Sequence, residues 1–128
     1  MKKYAIVLFL IVILSIVGYC YFFKPQRNIS AEDASFSVTS KILVDELKKG
    51  DVYFNNKYLD KTLTISGLVS NIDKKNNAFE IDENIFATTT SSLPLTITLN
   101  QKIAIKARFI GYDDLLELFK FDQASLPN

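Results

Sequence analysis

The stretch "GYDDLLE", residues 111–117, is the densest polar grouping in the chain, with Asp113, Asp114 and Glu117 behind Gly111 and Tyr112. Carboxylates so spaced could hold a hard cation through oxygen ligands. They also describe a solvated hairpin turn, in which Gly111 supplies a positive φ and Asp113 bonds to nearby backbone. Just upstream, "KIAIKARFIG" sets Lys102, Lys106 and Arg108 along one side of a strand. That is the geometry of a stripe tracking a phosphate backbone, with Phe79, Phe86 or Tyr112 left to supply stacking. The alternative is a solvated outer face, with Glu80, Lys120 and Asp122 beside the stripe and the acidic loop repelling phosphates. Lys102, Lys106, Arg108, Tyr112, Asp113 and Asp114 form the candidate ligand face.

Other chemistry finds little material. Histidine is absent, and the one cysteine, Cys20, lies inside an apolar run. The commonest general base, the commonest zinc ligands and a thiol nucleophile are therefore missing from the body of the protein. "DENIF" and "TTTSS" offer carboxylates and hydroxyls, but spacing gives the hydroxyls no base and the acids no partner across a cleft. No catalytic, cofactor-binding or metal residues are assigned, and the expectation is a protein that is not an enzyme. Residues 24–128 carry 13 Lys and Arg (15 less Lys2 and Lys3) against 14 Asp and Glu. This body lacks the basic excess that counterion release rewards, so nucleic acid is disfavoured as a partner. A single cysteine permits no internal disulfide and is silent on redox compartment.

The elements that must position these groups begin behind "MKKYAIVLFLIVILSIVGYCYFFKPQR". From Tyr4 to Phe23 no charge interrupts about twenty residues, enough for a helix to cross a bilayer's hydrocarbon core of roughly 30 Å. Tyr19, Tyr21, Phe22 and Phe23 resemble an aromatic belt at one interface. A retained membrane helix over residues 1–23 is the favoured reading. Lipoprotein processing before Cys20 meets Tyr19 where a small residue is expected, and ordinary cleavage meets an apolar run longer than a signal needs. Lys2 and Lys3 lie on one flank, Lys24 and Arg27 on the other. A three-residue tail favours a cytoplasmic N-terminus and a periplasmic or extracellular body.

Residues 24–38 read as a polar tether, within which Asn28-Ile29-Ser30 matches a glycosylation acceptor. The domain proper is expected over residues 39–128. Thr39 or Ser40 can cap a helix of about 40–57, carrying Leu43, Leu47, Phe54 and Tyr58 as its buried stripe. Gly50 falls inside it at a cost of about 1 kcal/mol relative to alanine, and marks a break or kink.

"TLTISGLV" alternates until Gly67, after which Leu68 and Ile72 fall on the formerly polar parity. Gly67 is read as the bend of a long strand passing from one sheet to another. "DKKNN" is a turn, "AFEID" and "NIFATTT" are strands, and "SSLPLTITLN" is extended but broken by Pro94. "KIAIKARFIG" turns Ile103, Ile105, Ala107 and Phe109 inward. Gly111 opens a turn, and "LLELFKFDQ" returns with Phe119 and Phe121 inward and Leu118 on the outward parity, where it either marks a contact surface or, the favoured reading, lies under the helix. The fold class expected is mainly β with one flanking α-helix, a five-stranded OB-fold barrel behind an N-terminal transmembrane helix.

"KYLDKTLTISGLV" and "KARFIGYDDLLELFKFDQASL" together resemble the tRNA_anti-like family, over roughly residues 38–126. The matching positions are Tyr58, Lys61, Gly67 and Val69, then Lys106, Gly111, Tyr112, Asp113, Asp114, Asp122 and Gln123. The resemblance implies an OB-fold domain, often behind a lipoprotein signal or membrane anchor, in a bacterial envelope-facing protein. It implies no activity, cofactor or catalytic residue. Where relatives often place a cysteine, this chain has Ala124. The function expected is a non-catalytic, membrane-tethered binding module whose partner is a protein or envelope ligand. A single-stranded nucleic-acid binder and a structural or assembly protein are the other two readings.

Overall fold

The computed structural model describes residues 1–23 and 27–126; Lys24, Pro25 and Gln26 of the tether lie outside the described residues. The apolar run forms α1 (Lys2–Phe22), a helix with no buried residue, long and apolar enough to cross a membrane.

The single helix expected over 40–57 is two helices, α2 (Ser40–Leu47) and α3 (Asp51–Tyr58). Thr39 caps the first, its Oγ1 accepting the Ile42 N–H at 3.4 Å. The break is at Gly50, whose φ of +127° is open to glycine and strained for other residues. The anticipated stripe survives the break. Leu43, Phe54 and Tyr58 are buried, and the Phe54 ring meets Tyr58, Phe109 and Phe119 with centroids 4.9–5.6 Å apart. Breaking the helix lets both halves turn their apolar sides onto the barrel's aromatic interior.

That barrel is built from β2 (Thr62–Asp73), β3 (Ala78–Ile81), β4 (Ile85–Thr88), β5 (Lys102–Asp113) and β6 (Leu118–Ser125). They pair in the order β2-β3-β4-β6-β5, and β5 closes the ring on β2. All pairs are antiparallel except β4 with β6. This is the mainly β, OB-like barrel with flanking helix that the sequence predicts. Alternation delivers the core as anticipated: Phe79, Ile81, Ile105, Phe109, Phe119 and Phe121 all point inward and are buried. Leu118 is half-buried. The "SSLPLTITLN" stretch is irregular loop, not strand, and buries only Ile97.

A sixth strand was not anticipated. β1 (Phe36–Thr39) lies parallel to β2, Phe36 opposite Leu63 and Thr39 opposite Ser66. Three of the residues read as tether, 36–38, are therefore strand. Four residues with one buried valine are too short for alternation to announce them.

Gly67 stands where β2 changes partners, pairing with β5 through Leu68 and with β3 from Val69. The change of parity, expected at the glycine, falls three residues later at a bulge between Val69 and Asn71. Gly67 has a different task. A Cβ there would run into the Asp82 carboxylate and the Ile81 side chain. Asp82 bridges back to β2, its Oδ1 accepting the Leu68 N–H at 3.0 Å and its own N–H donating to the Leu68 carbonyl at 2.9 Å. The missing side chain is the space in which the β3–β4 turn closes over the first barrel strand.

Gly111 is likewise displaced from its expected role. It sits within β5 opposite Lys120, at a bulge after Phe109, with φ +155°. The turn proper is residues 114–117.

Candidate ligand face of the barrel

The six residues of the candidate face divide into three groups along β5 and the first residue of the turn after it. Lys106 and Arg108 lie beneath the chain's own N-terminal segment. Residues 27–32 cross β2 and β5 as a strap, held first by charge: the Arg27 guanidinium donates to both Glu32 oxygens at 2.7 and 2.8 Å and to the Asp60 carbonyl at 2.9 Å. Thr62 Oγ1 donates to Glu32 at 2.7 Å, and the Lys106 ammonium donates to the Glu32 and Ser30 carbonyls at 2.6 and 3.4 Å. Ile29 is buried at the same place. Arg108 is paired with Asp122 through both arms of its fork, Nε donating to Oδ1 at 2.9 Å, and reaches Asp60 at 3.5 Å. Two of the three cations of the stripe thus already have anionic or carbonyl partners inside the molecule.

Lys102, at the other end of β5, is exposed and has no ion pair among the described residues. It lines a groove of about 450 Å³ with Pro94, Thr96, Ile97 and Gln101.

The third group is the hairpin end. Asp113 Oδ1 accepts the Leu115 and Leu116 N–H groups at 3.0 and 3.1 Å, and its Oδ2 meets Lys120 at 3.0 Å. Lys120 and these backbone bonds hold its carboxyl below the usual aspartate range. Glu117 closes the turn at φ +55°. Asp73 begins the β2–β3 turn in the same way, accepting from Lys75 and Asn76, and Asn77 ends it at φ +52°. Two turns of one design argue that Asp113 is a turn former, and the described residues bring no third metal-ligating side chain to it. Asp114 is exposed, and the Tyr112 ring packs at a tilt against Phe119 with centroids 4.7 Å apart. Burial, and then the charges of Glu117, Asp114, Asp113 and Asp51, push the Tyr112 phenol upward. Tyr112 and Asp114 share a cleft of about 310 Å³ with Asp51, Asn55 and Leu59 of the α3 side.

A groove of about 490 Å³ beside the strap is lined by Arg27 and Asn28 together with Thr89–Ser92, Pro94 and Gln123. Sequence reasoning missed this region together with Arg27, Glu32 and Asp60. Arg27 and Glu32 pair five positions apart, but what holds them to the barrel, Asp60 and Thr62, lies 33 and 30 positions away, beyond the reach of any local spacing rule. The barrel interior offers no site: its side chains fill it, and no buried side-chain polar atom lacks a partner among the described residues.

The strap carries a pH prediction. Hydrogen bonds from Arg27, and next from Thr62, hold the Glu32 carboxyl at about 2, against 4.5 ordinarily. A depressed carboxylate lends its stabilisation fully above the unfolded value and loses it as pH falls through the folded one. The strap should therefore stay seated at pH 5 and loosen progressively between about 4.5 and 2. Carboxyl NMR titration should give Glu32 the lower value, and strap amides should exchange faster in acid. Titration of Glu32 at an ordinary carboxylate value would show the clamp to be absent in solution.

Comparison with known proteins yields one match. No curated protein and no solved structure matches the chain. A family model does, and it covers the apolar helix as well as the barrel through Lys120. The chain belongs to the tRNA_anti-like family, whose model matches residues 1–120.

Proposed function

We propose that this is a non-catalytic binding module of the bacterial envelope, carried on a membrane-spanning α1, which recognises a protein or envelope ligand with the outside of its OB-like barrel. The observation that supports it is an apolar helix with no buried residue joined to a barrel whose interior is already full. A full interior leaves the outer surface for recognition, and an unburied apolar helix of this length calls for lipid. On this reading the ligand face includes Lys102 at one end of β5 and Tyr112, Asp113 and Asp114 at the other. Lys106 and Arg108 support it from beneath the strap.

Crosslinking and pull-down from native membranes test the proposal, comparing the full chain with one lacking residues 1–26, so that Arg27 keeps its contacts. Partners that survive the deletion support recognition by the barrel. Partners lost with it point to an assembly role for the helix. The pairing of Arg108 and Lys106 with the protein's own groups argues against a phosphate-tracking stripe. Single-stranded oligonucleotides should then give no salt-sensitive shift, and a shift that collapses with added salt would overturn this reading.

A further inference from the structure

With α1 read as a membrane helix, a reading on which the inference rests, the tether sets how far the barrel can stand from the lipid. Phe23 caps α1, and Arg27 is already fixed by Glu32 and Asp60. Four Cα steps separate the two, a reach of about 14 Å at full extension. The helix ends in Tyr19, Tyr21, Phe22 and Phe23, aromatic residues suited to the headgroup level. The headgroup layer is itself roughly 5–8 Å deep. Arg27 is therefore held within or just above the headgroups, and so is whatever adjoins it.

What adjoins it is the β4–β5 loop, which lines the Arg27 groove through Thr89–Ser92 and Pro94. From Asn84 to Gln101 the chain carries no charged residue, an eighteen-residue interval in a protein that is 23% charged. Leu95 is 88% exposed and Leu99 58% exposed within it. Leu115 and Leu116 of the β5–β6 turn are as exposed, at 94% and 63%, but stand among Asp113, Asp114 and Glu117, whereas Leu95 and Leu99 have no charged neighbour within their loop. Cations flank the same loop. Lys102 shares a groove with Pro94 and Ile97, and Lys74 shares one with Ile97, Leu99 and Asp73, whose carboxylate is turned to the Lys75 and Asn76 N–H groups of its own turn. Apolar tips rimmed by lysines match a surface of anionic lipid.

We propose that the β4–β5 loop rests on the bilayer, with Leu95 and Leu99 entering the interface and Lys74 and Lys102 meeting anionic headgroups. The barrel is then held in one orientation, with its β5–β6 turn at the far end. β5 runs eleven residue steps from Lys102 to Asp113, a separation of at most about 37 Å along the strand.

The chain contains no tryptophan, so a single one reports on its own surroundings. The full chain bearing Leu95→Trp is reconstituted into vesicles of phosphatidylcholine and phosphatidylglycerol, with and without brominated acyl chains. The expected result is blue-shifted emission and loss of most of it to the brominated lipid. Leu115→Trp, at the far turn, should keep water-like emission and resist quenching. Alkaline carbonate washing separates two kinds of failure. Water-like, unquenched emission from Leu95→Trp in a chain that withstands the wash overturns the docking and leaves the membrane helix standing. Release of the unsubstituted chain by the wash overturns both.

Discussion

Phe54→Ala should destabilise the body of this protein by about 3–5 kcal/mol, the range for removing a fully buried aromatic side chain. The residue is wholly buried, and its ring touches Tyr58 in its own helix, Phe109 of β5 and Phe119 of β6. Neighbouring rings cannot collapse into the space, because Phe109 and Phe119 are fixed by paired strands. A domain of this size is stable by only about 5–15 kcal/mol, so the loss would be a large fraction of the total. Urea unfolding followed by circular dichroism measures it. Val52→Ala, exposed on the same helix, should stay within about 0.5 kcal/mol of the parent. Equal midpoints for the two variants would mean that α3 does not plug the barrel.

Gly67→Val is the second large effect, and it comes from added volume. Its side chain would enter the space of the Asp82 carboxylate and the Ile81 methyl group. Overpacking of this kind costs about 1–3 kcal/mol, and displacing Asp82 also removes its bond to the Leu68 N–H. The backbone at Gly67 is ordinary strand, so conformational strain plays no part. That distinction can be measured. In a chain already carrying Asp82→Gly, Gly67→Val should cost less than it does alone, the remainder being Ile81's share. Strict additivity of the two changes would show that the carboxylate and the glycine do not compete for one space.

How much of the fold and its ligand face was legible in the sequence depended on the range of each interaction. The strands of the barrel were legible because inward residues recur every second position: Ile105, Ala107 and Phe109, then Phe119 and Phe121. The apolar stripe of Leu43, Phe54 and Tyr58 was legible for the same reason at helical spacing, and Gly50 signalled its break. Gly67 was legible as special, but the reason for it was not. The group that needs the space, Asp82, lies fifteen residues on and across a turn. The basic stripe on β5 was visible as a pattern, yet its masking was invisible. Nothing local in "RNISAE" says that Arg27 will find Asp60, or that the Ser30 and Glu32 carbonyls will take the Lys106 ammonium. Patterns report which way a side chain points, whereas its partner is decided by chain brought from elsewhere.

The parallel pairing of Phe36–Thr39 with Leu63–Ser66 decides what a cut between α1 and the barrel leaves behind. A protease cutting just after Phe23 would release a body in which β1 still covers that edge of β2. One cutting after Thr39 would strip off the strand and the strap together, baring four residues of β2 to pair with the next molecule so cut. The first cut leaves β2 covered on both sides over Leu63–Ser66, and the second leaves it open on one.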